Sequence, residues 1–253
     1  MRMNFVHLCL VLALLACVRA NFTLPPDIQK CNTSDPNFNT CAVVSFNKLV
    51  HLGVTGIPSI SIKPLDPIFL TQVCFVSSPG SPISMDVQLQ NATVYGFANL
   101  RVVSTQGTNI NNNVIAMKGV IPQMRVLSNY SMDGSIMGLS LERFGTVDIV
   151  FYNYTINYQS YHYPVVKNNL TYLTVRNISL DTEYHGGNVA YTTDQATSTL
   201  GITDDDINNV INQNLGDIYN EYEATVNAAI LSVISTSVVG FNNEVSREEL
   251  FVK

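Results

Sequence analysis

The chain has 253 residues, of which 46% are hydrophobic, 9% aromatic and 13% charged, and it contains no tryptophan. Charged residues stand at about half their usual share beside an ordinary apolar content, which excludes a disordered acidic chain and a Glu/Lys-rich coiled coil. A formal charge of −6 excludes a sequence-independent grip on nucleic acid.

Met1 to Ala20 reads as a secretory signal: Arg2 opens it, Phe5 to Cys17 is almost unbroken apolar sequence, and Val18-Arg19-Ala20 is a small-residue exit. That run is too short to span a bilayer comfortably, and no later stretch reaches eighteen apolar residues, so no integral membrane association is expected. Cleavage after Ala20 removes Arg2 and Arg19, which takes the charge from −6 to −8 and leaves residues 21–253 as one domain. Asn21, Asn32, Asn91, Asn129, Asn153, Asn169 and Asn177 each head an N-x-[ST] triplet, as expected of a secreted glycoprotein. The mature chain keeps Cys31, Cys41 and Cys74. Cys31 and Cys41 are close enough to close a short loop, while Cys74, inside Val73-Cys74-Phe75-Val76, reads as a buried small hydrophobe.

A helix is signalled after the first cysteine by Asp35 as cap, Pro36 at the first position and Gly53 as the stop. Phe38, Cys41/Ala42, Phe46, Leu49 and Leu52 recur at helical spacing along it. From about Pro58 to Tyr191 the pattern is that of strands. Ile83, Met85, Val87 and Leu89 alternate with polar residues, and Val147 to Tyr158 is a long β-rich run. A solvent-facing Asn153 sends Tyr152, Tyr154, Ile156 and Tyr158 to the covered face by parity. At 169–179 parity conflicts: Asn169 and Asn177 fall on the same face as Leu173 and Val175, so either a bulge intervenes or one sequon is empty.

The last third changes period. Thr203 caps a helix opened by Asp204-Asp205-Asp206, with negative charge at the positive end of the dipole. Ile207, Ile211, Leu215, Ile218, Tyr222, Val226, Ala229 and Val233 follow at spacings of four or three. This predicts one helix of about 30–35 residues and roughly 50 Å. A compact globule of this size is about 45 Å across, so the molecule is elongated or the helix breaks, with Gly216 as the weak point. One short helix, a long strand region and one very long helix imply an α+β fold: a highly curved antiparallel sheet wrapped around the C-terminal helix.

Catalytic patterns are missing. The sequence has no H-E-x-x-H, paired Cys/His zinc spacing, P-loop, G-x-G-x-x-G or G-x-S-x-G. Asp181-Thr-Glu183-Tyr-His185 reads as a polar turn before Gly186-Gly187, and the Asp triplet as a cap and not a calcium loop. No enzyme, metal or cofactor is expected.

Cys31-Asn-Thr-Ser-Asp-Pro-Asn-Phe-Asn-Thr-Cys41, then Gly56-Ile57-Pro58 and Pro64-Leu65-Asp66-Pro67, resemble the N-terminal signature of the insect juvenile-hormone-binding protein and takeout family. Tyr130-Ser-Met-Asp-Gly134, Asn214-Leu-Gly-Asp-Ile-Tyr-Asn-Glu-Tyr222 and Glu249-Leu250-Phe251 are similar to its middle and end. The resemblance runs from about residue 24 to 252. It implies a tubular lipid-binding fold, a disulfide between Cys31 and Cys41, and carriage of a small hydrophobic ligand such as a juvenile-hormone-like terpenoid, a fatty-acid-like or a quinone-like molecule. Cys74 lacks the partner it has in the hormone carriers proper, which implies a takeout-like member. Face assignment then offers Phe46, Leu49, Tyr152, Tyr154, Ile218, Tyr222 and Val226 as ligand-lining residues of a monomeric carrier. The competing expectation is a secreted interaction protein with a closed core, binding a receptor or a microbial surface lipid.

Overall fold

The computed structural model describes residues 24–60, 62–81, 83–136, 139–194 and 203–253; the signal-like segment 1–20 and the Asn21 sequon lie outside the described residues. A two-residue strand β1 (Cys31–Asn32) leads into helix α1 (Phe38–Val54). Strands β2 (Ile68–Phe75), β3 (Ile83–Tyr95), β4 (Arg101–Ser104), β5 (Val114–Ile136), β6 (Leu139–Lys167), β7 (Leu170–Glu183) and β8 (Gly187–Thr193) follow. Helices α2 (Asp204–Gln213), α3 (Leu215–Glu244) and α4 (Arg247–Leu250) and a final β9 (Phe251–Val252) complete the chain.

Seven strands form one antiparallel sheet in the order β2-β3-β5-β6-β7, with β4 also pairing β5 and β8 also pairing β6. The central strands β5 and β6 run for 23 and 29 residues, several times the usual strand length. Sheet twist accumulates over such lengths and curls the sheet. α3, 30 residues and about 45 Å long, lies along β7 at one sheet edge and touches β2 at the other. It therefore closes the gap that the curled sheet leaves open. By length and composition α3 is also apolar enough to cross a membrane, with a mean hydropathy of 1.7 over eighteen residues. In this fold, part of that apolar surface faces the concave side of the sheet.

Curvature is written into the strands as changes of face. In β6 the buried apolar residues are Val147 and Phe151 before Asn153, and Tyr154, Ile156 and Tyr158 after it. Asn153 has φ +50 and lies across from Pro122, at the unpaired step between Tyr154–Ile121 and Tyr152–Gln123, where β5 changes face too, from Met124 to Ile121. Two consecutive residues, Tyr152 and Asn153, thus both point outward. This corrects the parity expectation for Tyr152, which is 46% exposed. Asn91 (φ +52) does the same in β3, between Leu89 and Ala92, at a bulge. The conflict at 169–179 resolves through a bulge: Tyr161 pairs Asn177 while His162 pairs Val175, leaving Arg176 as the extra residue. Asn168 and Asn169, both at positive φ, make the two-residue turn between β6 and β7. Asn32, Asn91, Asn129, Asn153, Asn169 and Asn177 are all exposed.

Other expectations move by small amounts. Asp35 caps from outside α1, its Oδ1 accepting from Asn37 N at 2.7 Å, and the helix runs past Gly53 to Val54. Thr203 and Asp206 form a reciprocal capping box at the start of α2. The C-terminal helix breaks at Asn214 instead of Gly216: Asn214 N closes a tight turn onto Ile211 O, and its side chain donates to Val210 O. Cys74 is exposed, not buried, because Val73 and Phe75 take the inner face of edge strand β2. Asp181 and Glu183 end strand β7 and do not form a turn.

At one end the N-terminal arm, α1, α4 and β9 build a closed plug around Ile28, Cys31, Phe46, Val102 and Phe251. β1 pairs β9 in parallel, and the Cys31–Cys41 disulfide ties the arm to α1. In the chain-entropy account a loop of this size contributes about 3 kcal/mol.

Three asparagines fasten helices to strand edges. Asn208 accepts from Tyr191 N (2.7 Å) and donates to Tyr191 O (3.0 Å), and Asn212 does the same with Val189 at 2.7 Å each way. Asp204 accepts from Thr193 N, completing a row. Four helical residues rise about 6.0 Å and two strand residues about 6.8 Å, so the row stays nearly in step. Asn47 of α1 clasps Val102 of β4 in the same two-way manner, at 2.9 Å each way.

Candidate functional site

Between α3 and the concave face of the sheet lies a cavity of about 150 Å³. Met85, Val87 and Leu89 of β3 and Met124 and Val126 of β5 form its floor. Ile149 and Phe151 of β6 and Val189 and Tyr191 of β8 form one wall, and Leu70, Val73 and Phe75 of β2 the other. The roof is helical: Ile211 of α2, then Leu215, Ile218, Tyr222, Val226 and Val233 of α3, with Tyr219, Ala229 and Ile230 beside them. Leu215 to Val233 is eighteen helical steps, about 27 Å. Spread over that length, the volume makes a slot rather than a chamber.

The lining residues are all aliphatic, Met, Phe or Tyr, and none carries charge. This follows from the sequence locally: the period-2 run 83–89 turns its odd residues inward, and the 3.6-period stripe of α3 faces them. The inner wall is also fixed by aromatic contacts. Tyr130 meets Tyr191 edge-on at 4.6 Å between centroids, Phe75 meets Tyr222 edge-on at 5.5 Å, and Phe151 meets Tyr219 edge-on at 6.0 Å.

Polar groups behind the lining are paired. The Tyr222 hydroxyl donates to Met85 O. Thr182 donates to Asn227 Oδ1 at 2.6 Å, Tyr219 and Thr182 share a short hydrogen bond, and Tyr154 Oη lies 2.8 Å from Tyr219 Oη. Since each hydroxyl has one proton, the row runs one way, Tyr154 to Tyr219 to Thr182 to Asn227. Burial raises the pKa of Tyr154 and Tyr219, and it pushes that of Tyr222 up to about 12, so all three stay protonated at neutral pH.

Of the residues proposed from the sequence, Ile218, Tyr222 and Val226 face the cavity. Tyr154, fully buried, stands one layer behind it. Phe46 belongs to the plug core and Leu49 packs against that core, because the apolar stripe of α1 faces the arm and β9, not the slot. Tyr152 points to solvent for the reason given above. Sequence reasoning missed Tyr191 and Val189 of β8 and Tyr219. The first two alternate in Asn188-Val189-Ala190-Tyr191, a signal too short to place alone, and Tyr219 is the three-residue neighbour of Tyr222.

Among the described residues no group of three or more His, Cys, Asp or Glu is placed to hold a metal ion. Glu183 receives Asn157 Nδ2 at 2.8 Å and Lys118 at 3.3 Å on the surface, with His185 Nε2 3.5 Å away. The one buried histidine on β6, His162, lies apart from the cavity lining. Its Nδ1 donates to Asn113 O at 3.1 Å and its Nε2 is sealed without a partner. Burial lowers its pKa, more than the Asn113 hydrogen bond raises it. The unfolded chain therefore takes up this proton first, near pH 6.5, and stability is full above that pH and falls below it. A thermal-melting series from pH 7.5 to 5 is expected to show this loss, at most about 1.4 kcal/mol per pH unit. His162→Leu should flatten it, and an unchanged slope in that variant would remove His162 as its source.

The sequence matches the protein family described as haemolymph juvenile hormone binding protein over residues 8–252. Among solved structures, Takeout 1 of Epiphyas postvittana superposes with a TM-score of 0.76 at 16% identity, covering 89% of this chain and all of that one. A lipopolysaccharide binding protein aligns over 76% of this chain and 38% of its own, at 11% identity and a TM-score of 0.33. No curated protein matches the sequence.

Proposed function

The chain belongs to the haemolymph juvenile hormone binding protein family, a family of carriers for small hydrophobic ligands, and from that premise we propose that it is a secreted carrier of a linear lipophile. The observation that supports this reading is the uncharged slot along α3, with aliphatic, Met and aromatic walls throughout. A solid core of the same composition would hold a protein together; a slot of this length leaves room for a chain. Export follows from the signal-like Met1–Ala20, and the exposed sequons at Asn32, Asn91, Asn129, Asn153, Asn169 and Asn177 are open to glycans. The protein acts as a monomer.

The mechanism is reversible burial without a bond made or broken. A ligand hiding about 400 Å² of apolar surface gains about 10 kcal/mol gross. Association and ordering remove several of those, which leaves a dissociation constant in the nanomolar to micromolar range. The ligand-lining set proposed is Ile218, Tyr222 and Val226 with Tyr191, Tyr219 and Ala229; Phe46, Leu49, Tyr152 and Tyr154 drop out on position.

Native mass spectrometry of the secreted, deglycosylated protein, followed by organic extraction, tests the reading. The expected result is a stoichiometric apolar molecule of sesquiterpenoid or fatty-acyl size. Protein that is free of such a molecule, and whose melting temperature does not move across a panel of lipophiles, would sink the carrier reading in favour of an interaction protein.

A further inference from the structure

The cavity touches three phenols, and two are already engaged. Tyr222 donates to Met85 O, and Tyr219 stands in the middle of the row from Tyr154 to Asn227. Tyr191 is different. Its ring lines the cavity and is 8% exposed, yet its hydroxyl makes no hydrogen bond among the described residues. It is also not among the buried polar atoms sealed off without a partner, which among the described residues are His162 Nε2 and Ser237 Oγ. A hydroxyl that is unpaired, unsealed and carried by an almost wholly buried side chain opens onto the space that side chain lines.

The position is held firmly. The Tyr191 backbone is clasped on both sides by Asn208, and its ring is braced edge-on by Tyr130. Native interiors rarely keep such a donor idle, since an unpaired buried hydroxyl costs free energy that a partner recovers. No side chain among the described residues supplies that partner, which leaves the role to a molecule in the slot.

Resting on the carrier reading above, we propose that Tyr191 is the polar anchor of the site, and that the ligand is a neutral linear lipophile carrying a hydrogen-bond-accepting oxygen, of ester, ketone or ether type, near one end. The oxygen sits at the β8 and α2 end of the slot beside Tyr191, and the hydrocarbon runs along α3 towards Val233. Neutrality follows from the lining: it offers no cation, and an unpaired carboxylate there would keep its full desolvation cost. Tyr191 remains a donor throughout the physiological range, because burial raises its pKa.

The test compares a linear methyl ester, the n-alkane of equal length and the matching free fatty acid, in wild type and Tyr191→Phe, by displacement of an apolar fluorescent dye at neutral pH. Wild type is expected to bind the ester tighter than the alkane or the ionised acid. Tyr191→Phe should weaken the ester about five- to twentyfold and leave the alkane unchanged. Equal ester affinity in both proteins overturns the anchor while the carrier reading stands, and so does an acid that binds tighter than its ester. Failure of all three probes to bind wild type removes the carrier reading and the anchor together. Infrared spectroscopy of a carbonyl-labelled ester bound to wild type gives a readout that needs no variant: a lowered stretching frequency supports the hydrogen bond, and an unshifted band overturns it.

Discussion

Ala229→Phe is expected to abolish ligand binding and leave the protein folded. Ala229 lies on the cavity side of α3, between Tyr222 and Val233, where the slot is roofed by helix and floored by β3 and β5. A benzyl group built there enters the slot instead of a packed core, so it fills space that a ligand chain would occupy. The substitution gives up about 0.5 kcal/mol of helix propensity and recovers it by burying the ring. Thermal stability should therefore hold or rise slightly. Losing even half of a ligand's contact removes about 5 kcal/mol, more than three decades in affinity. Dye displacement and native mass spectrometry read the binding, and melting reads the fold. Wild-type affinity in a folded Ala229→Phe protein would mean that the ligand does not lie along α3.

Tyr219→Phe is expected to be the most destabilising single-atom deletion in the site, at about 2–4 kcal/mol in urea unfolding. The Tyr219 hydroxyl links α3 to β6 and β7 at once, accepting a hydrogen bond from Tyr154 and donating one to Thr182. Deleting it takes from the hydroxyl of the fully buried Tyr154 its acceptor and from Thr182 its donor; each such loss costs about 1–3 kcal/mol. Ionisation offers no relief, since burial already raises the pKa of Tyr154. Tyr154→Phe should cost less, about 1 kcal/mol, because Tyr219 then keeps its bond to Thr182. The double variant should cost less than the sum of the singles, as expected of one connected row. Equal costs for the two single variants would contradict the direction assigned to the row.

Much of the architecture was legible because periodicity reports burial directly. The stripe from Ile211 to Val233 marked the roof of the slot, the alternation at Ile83–Leu89 marked its floor, and the cap at Thr203 marked where the helices begin. What escaped was phase. Alternation assigns faces only while it continues, and Asn91 and Asn153 each reset it, so parity points Tyr152 inward while the folded strand turns it outward. Asparagine tolerates positive φ, but nothing in its neighbours announces that it uses it. Phe46 and Leu49 escaped for another reason. A helical stripe shows that a face is covered, and in α1 the cover is the plug rather than the ligand slot. Cys74 is exposed against its apolar context because an edge strand with apolar residues on both faces looks, in sequence, like a central one.

The asparagine clasps reach beyond the fold itself. β4 and β8 each pair on one side only, and a bare strand margin is a template on which another chain can add itself, the first step towards cross-β assembly. Asn47, Asn208 and Asn212 occupy that template by presenting an amide donor and acceptor where a foreign backbone would present its own. Aspartate in their place would set oxygen against the strand carbonyl, and glutamine would overshoot by a methylene, so short amides are the fitting choice. Helix stability is sacrificed for it, since asparagine is a poor helix former. In return the margins of these two strands are closed to other copies of the chain, and the protein can be crowded without fibrillating through them.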